Sequence, residues 1–488
     1  MTISFNAIPL SIRVPGAYAE FDSRNATGGL YEVNNRILLV GQKLAAGPIA
    51  ALTPIRIFDE ATAIAAFGRG SMLARMAKFA KAADRYSDIW AIALEDPGAG
   101  VQATQTLTFT GPATAAGTIA LLIAGQAVET GIASASTATQ AAVAAAAAIN
   151  GMPDLPVTAT SAAGVVTVTA RHKGTCGNDI DIRHSFRDGE TLPAGLTLAI
   201  AAATAGTSDP DYATVWTVIG DEDFRTIIVG NATATTLLAV EAELNDRWGP
   251  LRMLESTAYA AKRGSVGTAT TFGNARNNPL VSTIGTGLSP TAPWEWAASY
   301  GAIVGYYSAI DPARPFRTLA LPGVIAPVTG ARFTRAEREL LLRDGISTWN
   351  AQPDGTVVIE RAITMYQVNG AGVADTAFLD VNTPLTLAYI RQSVRARVLL
   401  KYPRHKLADD GTNFSPGQAI VTPIIIRAEL IALAREWEEA GLVENIDQFV
   451  ADIIVERDAS DRGRINALLP PDLVNQFHVF AAQIQFRL

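Results

Sequence analysis

The chain is short of the residues that do chemistry. Cys176 is the only cysteine among 488 residues, which excludes an internal disulfide framework and any four-cysteine metal site. The four histidines, His172, His184, His405 and His478, have no partner at metal-ligand spacing such as His-x-x-x-His. His172 shortly precedes Cys176, but the pair sits in a Gly/Thr-rich stretch and reads as packing rather than as a base beside its nucleophile. No Gly-x-Ser-x-Gly elbow occurs. Val40-Gly41-Gln42-Lys43 lies where a phosphate loop would, yet the next glycine is Gly47 and no Gly-Lys-Ser/Thr completes it. Gly68-Arg69-Gly70 lacks the third glycine of a dinucleotide loop, so both segments read as turns. The expectation is a protein that is not an enzyme, with no catalytic residue, no cofactor and no metal.

Charge is scarce as well. Charged residues make up 17% of the chain against 49% hydrophobic, which argues against disorder and leaves few charges to keep a monomer's surface wet. Alanine richness and burial of surface between subunits both account for this balance. The net charge of −7 disfavours a sequence-independent grip on phosphates, so no direct nucleic-acid binding is expected. The longest wholly apolar run, 141–149, falls far short of the roughly 20 residues that span a bilayer, so no membrane insertion is expected. Met1-Thr2-Ile3-Ser4-Phe5-Asn6 has neither the basic start nor the apolar core of a secretory signal, and a soluble cytoplasmic product is expected.

What is present is a patchwork of two grammars. The chain is too long for one core and shows no repeat at a fixed period. Residues 35–41 read as a fully buried strand, helices start at Asp59 and Ser71, and 88–94 read as a second buried strand. Strand, helix and strand imply a parallel crossover unit. The pattern resumes at 226–230 and in a helix carrying Leu237, Val240, Leu244 and Trp248, and 294–310 reads as a further helix. Between these halves, 97–206 are dominated by Ala, Thr and Gly with alternating segments at 106–110 and 165–169, which predicts a β-rich domain inserted in a surface loop.

Further on, Thr334 and Glu337 form a capping box, 356–365 read as a strand, and a helix follows Asn382-Thr383-Pro384. Thr422-Pro423 opens another helix that ends at Gly441, and 449–457 read as a strand. The expected fold is α/β and α+β multidomain. Its parts are an extended arm (1–30), an α/β core (31–97 and 206–352), the inserted β-rich domain facing outward (98–205), and a C-terminal α+β domain (353–488).

Both ends of the chain invite pairing. Phe480, Ala482, Ile484, Phe486 and Leu488 fall on one face of a terminal strand, and Gln483, Gln485 and Arg487 on the other. Such a strand is either tucked into its own sheet or lent to a neighbour. The first thirty residues carry Ile12, Val14 and Pro15-Gly16 with no helical period, and look unable to bury a core alone. Arg391, Arg395, Arg397, Lys401, Arg404 and Lys406 form a basic stretch with no intervening acid, while 429–461 are dominated by Asp and Glu. These are either two solvated faces or complementary patches that bring subunits into register. The basic stretch is the candidate charged surface.

Specific segments resemble a family. Residues 401–412 (Lys-Tyr-Pro-Arg-His-Lys-Leu-Ala-Asp-Asp-Gly-Thr) and 416–423 (Pro-Gly-Gln-Ala-Ile-Val-Thr-Pro) resemble the tail sheath protein of Mu-like contractile-tailed phages. So do 435–444 (Arg-Glu-Trp-Glu-Glu-Ala-Gly-Leu-Val-Glu) and 468–476 (Leu-Leu-Pro-Pro-Asp-Leu-Val-Asn-Gln). Shorter matches fall at Gly177-Asn178-Asp179-Ile180 and Asp311-Pro312-Ala313-Arg314-Pro315.

The resemblance implies a structural subunit that forms helical arrays of stacked hexameric rings around an inner tail tube. It implies that terminal extensions add strands to a neighbour's sheet, which makes Ile12, Val14, Phe480, Ile484, Phe486 and Leu488 the inter-subunit residues. Contraction would drive the tube through the host envelope. Partners would be further copies, the inner tube protein, and baseplate and tail terminator proteins. The basic stretch would face the tube or an adjacent subunit. The product would sit in the virion after assembly in the host cytoplasm. Two rivals stand beside this reading. One is another tail component, a tube or baseplate protein, against which the α/β halves count. The other is an enzyme with a doubly wound core, whose mark would be a pocket of converging titratable groups at the C-terminal ends of the core strands.

Overall fold

Ile37, Leu38, Leu39 and Val40 are apolar on both sides of the chain, a pattern that only a strand covered on both faces can use, and Arg36–Gln42 forms such a strand, β1. The structure is a computed structural model that describes residues 35–415 and 417–487; Ile12, Val14 and Leu488 lie outside the described residues. After β1 come the short β2 (Ile55–Arg56) and α1 (Glu60–Phe67), whose N-cap Asp59 accepts from the Thr62 amide. Then follow α2 (Met72–Ala83), capped by Ser71, and β3 (Asp88–Leu94). β3 lies parallel to β1 in register Leu39 to Ala91, the crossover read from the sequence.

The insert then leaves the end of β3. Its strands are β4 (Gln102–Thr110), β5 (Gly117–Ile123) and β6 (Gln126–Ile132), then β7 (Val157–Ala162), β8 (Val165–Lys173), β9 (Ile182–His184) and β10 (Thr197–Thr204). They make a four-stranded sheet in the order β10-β4-β8-β7 and a three-stranded sheet in the order β6-β5-β9, both antiparallel. The helix α3 (Ala138–Asn150) starts on a capping box of Thr137 and Gln140 and buries Ala141, Ala142, Ala145 and Ile149.

The core resumes with α4 (Ala213–Ile219), β11 (Thr226–Val229), α5 (Ala234–Trp248), β12 (Thr257–Arg263), α6 (Val266–Asn274), β13 (Val281–Gly287) and α7 (Pro293–Ile310). The helix α8 (Arg335–Arg343), with its Thr334–Glu337 capping box formed, leads to β14 (Ile346–Ala351) and β15 (Val357–Arg361). One eight-stranded sheet results, in the order β15-β14-β13-β12-β11-β1-β3-β2, parallel except for an antiparallel strand at each edge. Ile37 and Leu39 face α2 and α7, while Leu38 and Val40 face α4 and α5, so alternate residues of one strand serve two cores. The expected strand over 356–365 ends at Arg361.

The remaining elements are α9 (Asn382–Lys401), β16 (Lys406–Leu407), β17 (Ile420–Val421) and α10 (Pro423–Glu439), which has Pro at its first turn. Then come β18 (Val443–Glu444), α11 (Ile446–Asp452), β19 (Ile454–Arg457), β20 (Ile465–Leu468) and β21 (Asp472–Leu473). The expected strand over 449–457 is therefore a short helix followed by a strand. Phe449 is buried, its ring edge-on to Trp437 at 6.3 Å, a long-range packing that the local alternation concealed. Among the described residues the chain falls into a larger unit, 35–388 with 473–487, and a smaller one, Tyr389–Asp472. The expected boundary at 353 lies between β14 and β15, which pair with each other.

Candidate assembly site

The chain's last segment begins anchored and ends bare. Gln476 Nε2 donates to the Ala313 carbonyl at 3.2 Å, and Arg317 Nη1 donates to the His478 carbonyl at 3.0 Å. The His478 ring places Nε2 3.3 Å from Asp380 Oδ1. Asp380 in turn accepts two hydrogen bonds from Arg361, each 2.9 Å, so β15 braces the anchor. Burial pushes the Asp380 carboxyl up, but hydrogen bonds and charge from His478 and Arg361 outweigh it and hold the carboxyl below its usual range.

Beyond His478 the support stops. Residues 479–487 join no strand among the described residues, and Phe480, Ile484 and Phe486 are 80%, 87% and 80% exposed. The period-2 face read from the sequence is there as chemistry, yet no strand among the described residues pairs with it. Burying those three side chains would release on the order of 5 kcal/mol or more.

In the smaller unit β19 and β20 form a two-stranded antiparallel sheet that pairs with no third strand among the described residues. Ile454 and Leu468, directly opposite each other in its register, are 53% and 59% exposed. One face lies against α10, which steadies a hairpin that would be marginal alone. Its outer edges carry unpaired main-chain groups.

The basic stretch lies along α9 and the loop after it. Arg397 bonds Glu429 at 3.0 Å and also reaches Glu436, and Lys401 bonds Glu429, so two of the six basic residues meet the acidic stretch within their own subunit. Burial pushes the Glu429 carboxyl up, and its bonds to Lys401 and Arg397 more than reverse this, leaving it below the usual range. Arg391 and Arg395 are half-buried, Arg404 and Lys406 exposed, and Lys406 bonds Gln418 at 2.9 Å.

Open α/β sheets take ligands where strand order reverses, which in this sheet is at the C-terminal ends of β1 and β11. Here the insert fills that place. Gln42, the last residue of β1, donates to Asp96 at 2.6 Å and to the Lys173 carbonyl at 2.8 Å, and accepts from Cys176 Sγ at 3.2 Å. Asn231, just beyond β11, donates to Asp209 at 2.8 Å, which also accepts from the Thr175 amide at 2.9 Å. His172 accepts from the Met72 amide at 2.9 Å and contacts Asp96 at 2.9 Å, so it caps α2 from the insert. Burial pushes the Cys176 thiol far up, which makes it an inert packing residue. A cavity of ≈ 10 Å³ remains beside Cys176, Asn231 and Trp294, too small for more than about one water. Neither the filled crevice nor the anchored tail root was legible in the sequence, since each joins residues far apart in the chain.

Family models define the class. The chain matches the phage tail sheath protein beta-sandwich domain over 98–197, the phage tail sheath protein central domain over 205–365 and the phage tail sheath C-terminal domain over 373–487. The chain belongs to the phage tail sheath family. Within it, the tail sheath protein of the Mu-like prophage FluMu from Haemophilus influenzae is 42% identical over 488 residues, covering 100% of both chains. Crystal structures of sheath tail proteins from Desulfitobacterium hafniense and Listeria innocua are also similar. The first has a TM-score of 0.48 and 12% identity over 94% of this chain and 100% of that one. The second has a TM-score of 0.47 and 14% identity over 90% and 95%.

Proposed function

We propose that the chain is the repeating subunit of a contractile tail sheath, stacking as hexameric rings around an inner tail tube. The observation that carries this reading is the tail 479–487, apolar on one face, anchored at its root and unpaired among the described residues. Its occupant is the edge of the β19–β20 sheet in a second copy, which has the unpaired main-chain groups and the exposed Ile454 and Leu468 that such a strand needs. Each added strand contributes several main-chain hydrogen bonds at about 1 kcal/mol net apiece, besides the apolar burial. A donor and an acceptor that are different elements of one chain make a head-to-tail contact, which propagates as a helical array.

The extended array is then a metastable packing. Its collapse moves the cores to a lower-energy arrangement, with the exchanged strands as hinges, and drives the tube through the host envelope. Assembly takes place in the host cytoplasm, with baseplate and tail terminator proteins at the two ends. The filled strand-end crevice supports a mechanical role over a catalytic one. The basic stretch Arg391, Arg395, Arg397, Lys401, Arg404 and Lys406 is the proposed contact surface toward the tube or an adjacent subunit, with Arg404 and Lys406 its exposed members. Charge reversal at Arg404 and Lys406 is expected to reduce co-sedimentation with the tube protein while leaving the fold intact.

The direct test is negative-stain electron microscopy of the purified chain over a range of salt concentrations. Hollow striated tubes are expected from the full chain. A chain ending at His478 is expected to give folded single subunits, and tubes from that truncated chain would overturn strand donation.

A further inference from the structure

Asparagine followed by glycine is prone to rearrange, because glycine has no Cβ to shield the amide nitrogen that attacks the asparagine side chain. The chain has two such pairs, Asn150-Gly151 and Asn369-Gly370. We propose that the fold protects the first and leaves the second reactive, so that Asn369 is a site of spontaneous conversion to aspartate and isoaspartate. The proposal does not depend on strand donation.

Asn150 is the last residue of α3. Its Nδ2 donates to the Ala159 carbonyl on β7 at 2.7 Å, and the Gly151 amide donates to the Ala147 carbonyl at 2.9 Å. The nitrogen that would leave and the nitrogen that would attack are both held. Asn369 lies in the loop between β15 and α9, and Gly370 beside it is exposed. There the Gly370 amide and Asn369 Nδ2 have no hydrogen-bond partner among the described residues. The oxygen is held instead, since the Ala371 and Val373 amides donate to Asn369 Oδ1 at 3.0 and 3.2 Å. Two amide donors on a carbonyl oxygen stabilise the negative charge that forms there when its carbon is attacked.

In the reaction the Gly370 nitrogen gives its proton to solvent base and bonds to Asn369 Cγ, and the carbonyl electron pair moves onto Oδ1. When that pair returns, the Cγ–Nδ2 bond breaks and Nδ2 takes up a proton and leaves as ammonia. Water then opens either carbonyl of the cyclic imide, so one water is consumed for each ammonia lost. The product places a negative charge on an exposed turn, and the isoaspartate form lengthens the main chain inside the turn that the Asn369 amide closes on the Val373 carbonyl at 2.9 Å. Asn277 pins the base of this loop, donating to the Val368 carbonyl at 2.8 Å and accepting from the Gln367 and Val368 amides at 2.8 and 3.1 Å. The change is therefore confined to the tip, and an ageing subunit gains charge without losing its fold.

The test is peptide mapping by mass spectrometry of the full-length chain held at mildly alkaline pH, with and without urea. In the folded chain, conversion at Asn369 is expected to run at least about tenfold faster than at Asn150, the ratio implied by two hydrogen bonds that must break first at Asn150. In urea the two sites are expected to convert at the same rate. Gly370→Ala is expected to lose the conversion over the same interval while melting like the wild type, because a Cβ there meets nothing within 4 Å. Equal rates at the two sites in the folded chain overturn the proposal, as does a difference that persists in urea, which would make it a property of the local sequence rather than of the fold.

Discussion

Arg75 on α2 and Glu295 on α7 meet in the interior of the larger unit, with Arg75 Nε 2.6 Å from Glu295 Oε1 and Glu295 fully buried. Burial pushes the Glu295 carboxyl up, and Arg75 opposes this. Arg75→Met strands the carboxylate, and urea denaturation is expected to show a loss of about 3–5 kcal/mol. The double variant Arg75→Met/Glu295→Leu is expected to recover most of it, because an apolar pair removes the desolvation cost along with the bond. A double variant no more stable than the single one would show that packing, not charge, sets the loss. Gly70 makes a second point at this scale. Its φ is +80°, and a Cβ there would come within 2.6 Å of the Leu155 carbonyl and 2.8 Å of the Pro153 carbonyl. Gly70→Ala is expected to lower stability by about 1–3 kcal/mol in a thermal melt. That Gly68-Arg69-Gly70 is a turn was legible, because glycine punctuates locally. That the backbone of the insert crosses over it was not, because nothing near Gly70 encodes residues 153–155.

Among the elements, helix starts were the most legible feature. The capping box of α8 and the Ser71 and Asp59 caps are short-range chemistry, and a few adjacent residues specify them. The pairing of α9 with α10 was half legible: the two opposite charge runs stand out in the sequence, but only the fold shows Arg397 and Lys401 meeting Glu429 in the same subunit. A pH dependence follows. The Glu429 carboxyl is depressed in the folded state, so its stabilising contribution is complete above the unfolded value and is lost as pH falls through the folded one. Glu429→Gln is expected to melt at a lower temperature than the wild type at pH 7, with the gap closing below about pH 4 as the native carboxyl protonates. A constant gap across that range would place the effect in packing instead.

For the whole molecule, strand identity was legible and strand order was not. Periodicity shows which segments are buried, but the placement of β1 between β3 and β11 depends on a connection that passes through the entire insert. The same long connection explains why the filled crevice at the end of β1 escaped the sequence. The bare tail gives the largest prediction at this scale. Glutamate at Phe480 and Ile484 leaves the fold and the His478 anchor untouched, so the variant is expected to melt like the wild type yet fail to sediment as a polymer. Sedimentation velocity beside a thermal melt checks both halves, and polymers from that variant would show that the apolar face is not what joins the subunits.

The tail and the open hairpin have one further consequence. If each copy gives its strand to the next, a finite stack always keeps a last set of tails with no hairpin to enter and, at the opposite end, a first set of hairpins with no tail to receive. The two ends are then chemically unlike, one presenting apolar strands and the other bare sheet edges. The filament has a polarity written into every subunit, its length is encoded in none of them, and whatever closes one end cannot close the other by the same surface.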